Sequence, residues 1–455
     1  MRKYALLVLL TAFIVAFTSS CGLIVKDAEV DAQTVIIEVA GKTIVKADVL
    51  QAVENVLSYQ EYMYSYYGLT FDRTDADTLK SARDSAVAAL IEDAVTQQKI
   101  AENGFDQFTE EELAAMNEKV DTTYESNLSN VKTYYFADTA LTGDELNAAI
   151  ETKMQELGYG TKETLLATEK LSASMQKLKD MIVKDVAVTE DEIVAEYNNQ
   201  VANAISTYTT TPTQYASDVS GGAIIYYTPV GYRYVKNLLI KISDEDKTAL
   251  STLQTELSDK QSSLEATNTA IGELPEDPAA DTEEQKQSRE ELTTQVDTLN
   301  AEIADLNTQI STLTETAYSA VQPKVDEVLA KIAAGENFDA LIAAYGEDPG
   351  MQTEPQKTDG YLICAGLTTY VTEFLDASMA LKNVGDISDP FRSGVGVHIV
   401  QYASDLPDGQ VPLADIHDKV SEALLKTKQN TLYDETVNQW VADANAKTYV
   451  DRLDD

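Results

Sequence analysis

Residues 385–400, which read GDISDPFRSGVGVHIV, predict two strands joined by a tight, glycine-rich turn. The strands would cover residues 386–391 and 397–402, with the turn at residues 393–396. Residues 232–242, YRYVKNLLIKI, are rich in apolar and β-favouring side chains and predict a further strand. We therefore expect a small sheet in the C-terminal half of the chain.

Two runs of heptad-spaced apolar residues separate these strand segments, and they predict two long helices. The first run is interrupted by Lys260 and Thr267 and otherwise carries Leu250, Leu253, Leu257, Leu264, Ile271 and Leu274. The second has no interruption and carries Leu292, Val296, Leu299, Ile303, Leu306, Ile310 and Leu313. Because residues 275–281 contain helix-breaking prolines, we predict an antiparallel helical hairpin at residues 246–317 with arms about 35 Å long. Such a hairpin is a spacer or dimerisation device, or an arm that grips a protein client.

The N-terminus has the pattern of an export signal. Met1, Arg2 and Lys3 precede an apolar run at residues 4–17, which is short for a membrane span. Small residues then lead to Cys21, an arrangement that resembles a lipobox, although Thr18 stands where leucine is usual. We predict a signal peptide at residues 1–20, lipid on Cys21 and a tether at residues 21–34. The alternative is an ordinary cleaved signal peptide.

The rest of the chain divides into a helical region, a linker and a C-terminal helix. Residues 35–45 predict a short hairpin that begins a mostly helical domain at residues 35–205. Tyrosines crowd residues 59–67, where we expect packing within the helices and hold a client-binding surface as the alternative. Residues 206–228, rich in Ser, Thr, Gly and Pro, predict a linker, and residues 408–455 predict a C-terminal helical segment.

Composition excludes several classes of function. The formal net charge of −42 disfavours nucleic-acid binding, which requires cationic surfaces. Two histidines and two cysteines, with no calcium-loop pattern, predict no metal site, and we expect no cofactor. No phosphate-binding glycine loop and no nucleophile elbow occur in the sequence.

Once the hairpin is set aside, residues 229–407 resemble a parvulin-type peptidyl-prolyl isomerase domain. The similar segments, in family order, are YVKNLLI (234–240), AAGENF (333–338), YGEDPG (345–350), DGYL (359–362), DASMAL (376–381), GDISDP (385–390) and GVHIV (396–400). The N-terminal segments VAGKTI (39–44) and VTEDEI (188–193) are similar to the chaperone domain of exported foldases of the PrsA and SurA kind. The resemblance implies an α+β protein: a mostly helical chaperone domain, and a small antiparallel sheet with helices, interrupted by the hairpin. It also implies that the C-terminal segment packs back on the chaperone domain.

The resemblance also assigns a site. It implies an apolar cup for a proline ring formed by Leu362, Tyr370 and Phe374, with Asp348 and His398 at its polar edge. Asn237 occupies the place of the first-strand histidine that active parvulins generally have, and Tyr370 replaces a usual methionine. Asparagine donates and accepts hydrogen bonds but does not change charge, so the resemblance leaves isomerase activity open.

Three functional hypotheses follow. The first is an extracytoplasmic, membrane-anchored foldase that isomerises prolyl bonds in unfolded exported proteins. The second is a catalytically inactive parvulin-like holdase that binds the same partners. The third is an envelope scaffold, or a homodimer, held together by the hairpin.

Overall fold

A computed structural model describes residues 28–137 and 139–454. Cys21, the predicted signal peptide and residues 21–27 of the predicted tether lie outside the described residues. Within the described part, no helix is both long and apolar enough to cross a membrane. The predicted α+β class is confirmed by the elements that follow.

The helices are α1 (Ala28–Ala32), α2 (Lys46–Tyr66), α3 (Ala76–Glu102), α4 (Glu110–Tyr135), α5 (Gly143–Glu156), α6 (Lys162–Val183), α7 (Glu190–Thr210), α8 (Gln214–Ser220), α9 (Asp244–Gly272), α10 (Glu283–Ala333), α11 (Phe338–Tyr345), α12 (Gln356–Asp359), α13 (Thr372–Ala380) and α14 (Leu413–Asp443). The strands are β1 (Val35–Val39), β2 (Lys42–Val45), β3 (Tyr227–Thr228), β4 (Arg233–Lys241), β5 (Tyr361–Ile363), β6 (Phe391–Ser393), β7 (Gly396–Asp405), β8 (Gly409–Gln410) and β9 (Lys447–Thr448). Short 3₁₀ segments lie at Pro278–Ala280, Pro349–Gln352 and Val450–Leu453.

The first compact unit contains the described residues up to Val188 together with those from Glu422 onward. Its sheet has the order β2-β1-β9, and the β1–β2 turn places Ala40 and Gly41 at positive φ, as a two-residue hairpin turn of the primed type requires. Ile36 and Ile37 of β1 are fully buried against α2 and α3. In a second cluster, Tyr433 and Val437 of α14 pack against Val183 of α6.

The second compact unit spans Thr189–Ser421. Its four-stranded sheet has the order β5-β4-β7-β6, and every pair in it is antiparallel. One face carries Leu238 and Ile399, which pack with residues of α10 and α11. Because side chains alternate along a strand, the neighbouring residues Asn237 and His398 lie on the opposite face, the one covered by α13.

The first of the two closing strands is shorter than predicted. Strand β6 begins at Phe391, and within the predicted range 386–391 Ile387 makes an isolated bridge to Gln401. Pro390 lacks a backbone N–H and interrupts the ladder between these two points.

Residues 206–228, predicted as a linker, contribute helical structure and two buried tyrosines to the second unit. Helix α7 runs through Thr210, and α8 follows it. Three buried tyrosines pack together: the Tyr215 ring lies 5.5 Å from that of Tyr208 and 4.7 Å from that of Tyr232, measured between ring centroids. The Tyr232 hydroxyl donates to the carbonyl of Pro212 at 2.8 Å. The Ser/Thr/Gly/Pro composition indicated a linker, whereas the buried tyrosines determine the packing.

Helices α9 and α10 pack against each other as the two arms of the hairpin. The Lys260 ammonium lies at the edge of the seam and pairs with Glu302 at 2.7 Å, while Thr267 is buried and donates its hydroxyl to the carbonyl of Ser263 at 2.8 Å. Both polar residues that interrupt the first apolar run, Lys260 and Thr267, therefore have polar partners within the hairpin. Leu299 and Leu306 of the second run are buried, so the seam that could have joined another copy is covered within the chain.

The second arm does not end near residue 317, as predicted, but continues through Pro323 to Ala333. The apolar stripe continues with Ala317, Val325 and Val328, all buried in the core beneath the sheet. This packing keeps the chain helical past a proline that normally ends a helix.

Two glycines with nearly equal φ allow a test of the packing beside β4. A methyl group on Gly360 (φ +96°) would lie 2.6 Å from the carbonyl oxygen of Val235, whereas one on Gly385 (φ +94°) would meet no atom within 4 Å. We expect Gly385→Ala to cost about 1 kcal/mol of unfolding free energy through its φ alone, and Gly360→Ala about 1–3 kcal/mol more. Urea denaturation of both variants checks this, and equal losses of stability would contradict the described contact.

Candidate functional site

Four buried polar side chains form a continuous hydrogen-bonded chain on the face of the sheet beneath α13. The Asn237 amide nitrogen donates to an Asp348 carboxylate oxygen at 2.6 Å. His398 Nδ1 lies 3.1 Å from the Asn237 amide oxygen, and His398 Nε2 lies 2.7 Å from the Ser393 hydroxyl. Each of these four residues is at most 8% exposed. We call them the polar chain.

The carboxylate at one end determines the direction of every hydrogen bond in the polar chain. Because an ionised carboxylate only accepts, Asn237 must present its NH₂ to Asp348 and its oxygen to His398. His398 Nδ1 therefore carries a proton. Burial lowers the pKa of His398 below its ordinary value, although the Asp348 carboxylate opposes part of that shift. A neutral ring with the proton on Nδ1 leaves Nε2 to accept from Ser393.

Asp348 is held by groups besides Asn237. It precedes the 3₁₀ segment Pro349–Gln352, and its Oδ1 accepts from the backbone N–H of Gly350 at 3.0 Å and from the Tyr361 hydroxyl at 2.9 Å. Burial and the neighbouring carboxylate raise the pKa of Tyr361, so its hydroxyl remains a donor. A side chain on Gly350 would collide with that hydroxyl, since a Cβ there would lie 1.9 Å from it.

Aromatic rings form a wall beside the polar chain. The Phe374 ring lies 6.1 Å from the His398 ring and 5.3 Å from that of Tyr370. Phe391 stacks on His398 at 5.2 Å with only 10° between the ring planes. Leu362 is half-buried and packs in the same apolar cluster as Phe374 and Tyr370.

The structure thus brings the six predicted site residues into one region. Asn237, Asp348 and His398 are joined by hydrogen bonds, while Leu362, Tyr370 and Phe374 share the adjacent apolar cluster. No group of three or more potential metal ligands occurs among the described residues.

Sequence reasoning missed Ser393, Phe391 and Tyr361 as site residues. The β6–β7 pairing places Phe391 opposite His398, and Ser393 opposite Gly396. The register of that predicted hairpin was the signal that could have identified the first two. Tyr361 appeared only within the similar segment DGYL (359–362), because its contact with Asp348 depends on how the 3₁₀ segment folds against the sheet.

Residues 308–404 match the model of the rotamase family, described as the PPIC-type PPIase domain. This segment is similar to parvulin-type rotamase domains. The match begins within α10 and does not include β4, so Asn237 lies outside it. The hairpin separates that strand from the rest of the domain.

Part of this chain is similar to known folding factors. The foldase protein PrsA of Clostridium perfringens is 28% identical over 117 residues, which are 26% of this chain and 34% of that protein. The chaperone SurA of Alkalilimnicola ehrlichii is 33% identical over 128 residues, which are 28% of this chain and 27% of that protein. A solved SurA-like chaperone of Campylobacter jejuni is 15% identical over 71% of this chain and 95% of its own, with a TM-score of 0.26. The resemblance to PrsA and SurA is confirmed, and the matched segment spans about a third of the PrsA relative's length.

The two histidines of the chain make the protonation of the polar chain measurable. The His417 ring donates hydrogen bonds to the carboxylates of Glu190 and Asp418, which raise its pKa, whereas burial lowers the pKa of His398. We expect two separate titrations by NMR, with His398 below and His417 above the ordinary value. Because His398 binds its proton less readily in the folded state, its own contribution to stability falls as the pH drops below the unfolded-state pKa of about 6.5, whereas the contribution of His417 has the opposite sign.

The variant His417→Gln assigns the two signals, since the remaining histidine is then His398. A titration of that remaining signal above the ordinary value would contradict a buried, neutral ring.

Proposed function

We propose that this chain is an extracytoplasmic foldase, anchored to the cell membrane by lipid on Cys21, that isomerises prolyl bonds in unfolded exported proteins. The single observation that carries the proposal is the polar chain of a parvulin-type domain, intact from Asp348 to Ser393, beside an aromatic wall. The names of the PrsA and SurA relatives support the folding role.

Prolyl isomerisation requires little covalent chemistry. Resonance gives the peptide bond a rotation barrier of about 20 kcal/mol, and the twisted transition state has lost that resonance. A site that holds the proline ring against apolar side chains, with few waters and fixed dipoles, favours the twisted form over the planar one. We assign Leu362, Tyr370 and Phe374 to the proline ring and the polar chain to the fixed dipoles.

Asn237 supports activity in this site because its amide bridges Asp348 and His398. It donates to Asp348 and accepts from His398, so the hydrogen bonding remains continuous. What it removes is a titratable group, and we therefore expect isomerisation whose rate changes little between pH 7 and pH 9.

A second function, binding of unfolded chains without catalysis, is favoured by the exposed tyrosines of the first unit. Tyr59, Tyr62 and Tyr66 lie along α2 and are 46%, 64% and 72% exposed, and Tyr67 directly after it is 64% exposed. Packing within the helices, which we expected for this cluster, does not cover them. Large exposed aromatic surfaces are typical of sites that contact other proteins.

The two functions are separable by substitution. We expect the purified chain to accelerate proline-limited refolding of a model protein, and Phe374→Ala or the more exposed Tyr370→Ala to reduce that acceleration tenfold or more, about 1.4 kcal/mol of transition-state stabilisation. The matched control is Tyr62→Ala combined with Tyr66→Ala, which should reduce suppression of client aggregation and leave the refolding rate unchanged. Refolding that does not respond to the wild-type chain would sink the isomerase proposal. Aggregation that does not respond either would also sink the holdase alternative.

Anchoring is tested at the predicted lipidation site. We expect wild-type protein to fractionate with membranes and to incorporate a labelled fatty acid, and Cys21→Ser to do neither. Cys364→Ser is the control, because this buried thiol is not expected to carry lipid. Equal labelling of wild type and Cys21→Ser would contradict the anchor.

A further inference from the structure

Helix α10 of the hairpin reaches the β6–β7 turn through two residues one helical turn apart. The Tyr318 hydroxyl donates to the backbone carbonyl oxygen of Ser393. Glu315 accepts from the guanidinium of Arg392 at 2.7 Å, and that guanidinium lies 4.4 Å from the centre of the Tyr318 ring. These contacts join the hairpin to the strand that ends at Ser393.

The Tyr318 contact is buried on both sides. Tyr318 is 5% exposed and Ser393 is 6% exposed, and Tyr318 packs in the core cluster that contains Ala317 and Val325 of the same helix. Burial raises the pKa of Tyr318, so its hydroxyl keeps the proton that it donates. Removing this hydroxyl would break a buried hydrogen bond and release the turn from the helix.

Ser393 is therefore held through both its backbone carbonyl and its side-chain hydroxyl. Its carbonyl oxygen is bound by the hairpin helix, and its hydroxyl lies 2.7 Å from His398 Nε2. The backbone N–H of Val395 lies 3.3 Å from the same hydroxyl oxygen and leaves its proton directed at the histidine. A small shift of the Ser393 backbone would lengthen the bond to His398, because the side chain has a single short link to its Cα.

We propose that Tyr318 is a positioning residue for His398, and that through it helix α10 holds the polar chain in its active arrangement. Tyr318 fixes the Ser393 backbone, and the Ser393 hydroxyl then donates to Nε2 of the ring form, protonated on Nδ1, that Asn237 selects. Displacement of α10, by a client or by another protein at the hairpin, would thereby alter the site. The effect on catalysis rests on the proposed isomerase function, whereas the effect on the histidine does not.

Tyr318→Phe tests this, because it removes one hydroxyl and keeps the ring beneath Arg392. The readout is the pair of ring-nitrogen chemical shifts of His398 in ¹⁵N-labelled full-length protein, with His417→Gln present in every sample to leave one histidine. We expect the Nε2 resonance of wild type to be that of an unprotonated nitrogen. In Tyr318→Phe the Nε2 resonance should shift further from the value of a protonated nitrogen, because the hydrogen bond from Ser393 is weakened, and isomerisation at unchanged pH should be three- to tenfold slower.

Tyr345→Phe is the matched control. It removes a tyrosine hydroxyl that also contacts α10, where it donates to Glu327 at 2.6 Å, and we expect wild-type shifts and rate. Wild-type nitrogen shifts in Tyr318→Phe would overturn the proposal, and so would an equal change in Tyr345→Phe. If wild-type protein has no isomerase activity, the proposed function fails, and the nitrogen shifts still decide whether Tyr318 positions His398.

Discussion

The antiparallel ladder between β4 and β7 is the constraint on which the second unit depends. It pairs Leu239 with His398 and Asn237 with Val400, and so sets side by side two site residues that are 161 positions apart in sequence. The ladder tolerates the long insertion because the two hairpin arms return the chain to the sheet. Loop-closure entropy grows only slowly with loop length, so the added helices cost the pairing little.

The polar chain is stable in the interior because each link in it has a partner. Buried donors and acceptors without partners cost about 1–3 kcal/mol each, and a chain that is satisfied from end to end avoids those losses. Asn237 fits this requirement without a change of charge, which explains how the site accommodates a residue other than histidine there. The two ends of the polar chain need partners as well. Gly350 and Tyr361 donate to Asp348 at one end, and the Ser393 hydroxyl donates to His398 at the other.

The hairpin has an outer part and an inner part with different partners. Along its outer part each arm covers the apolar seam of the other, which leaves Leu299 and Leu306 buried within the chain. At the tip, Arg289 clasps Asp281 through two hydrogen bonds of 2.7 and 3.1 Å and the carbonyl of Pro275 through a third of 2.7 Å. The inner part of α10 instead packs beneath the sheet. One continuous helix therefore connects a surface projection with the core of the rotamase domain.

The sequence by itself determined the elements whose signal is local or periodic. The strand at residues 232–242, the closing hairpin and the two helical arms follow from side-chain period and turn residues, and the family motifs placed Asn237, Asp348 and His398 in one site. The tertiary structure alone decided that α10 continues through Pro323 and that residues 206–228 contribute two buried tyrosines to the second unit. It also decided that Tyr318, Ser393 and Tyr361 complete the site. These features depend on packing between residues distant in sequence, which overrides the local preference of a proline or of a Ser- and Thr-rich segment.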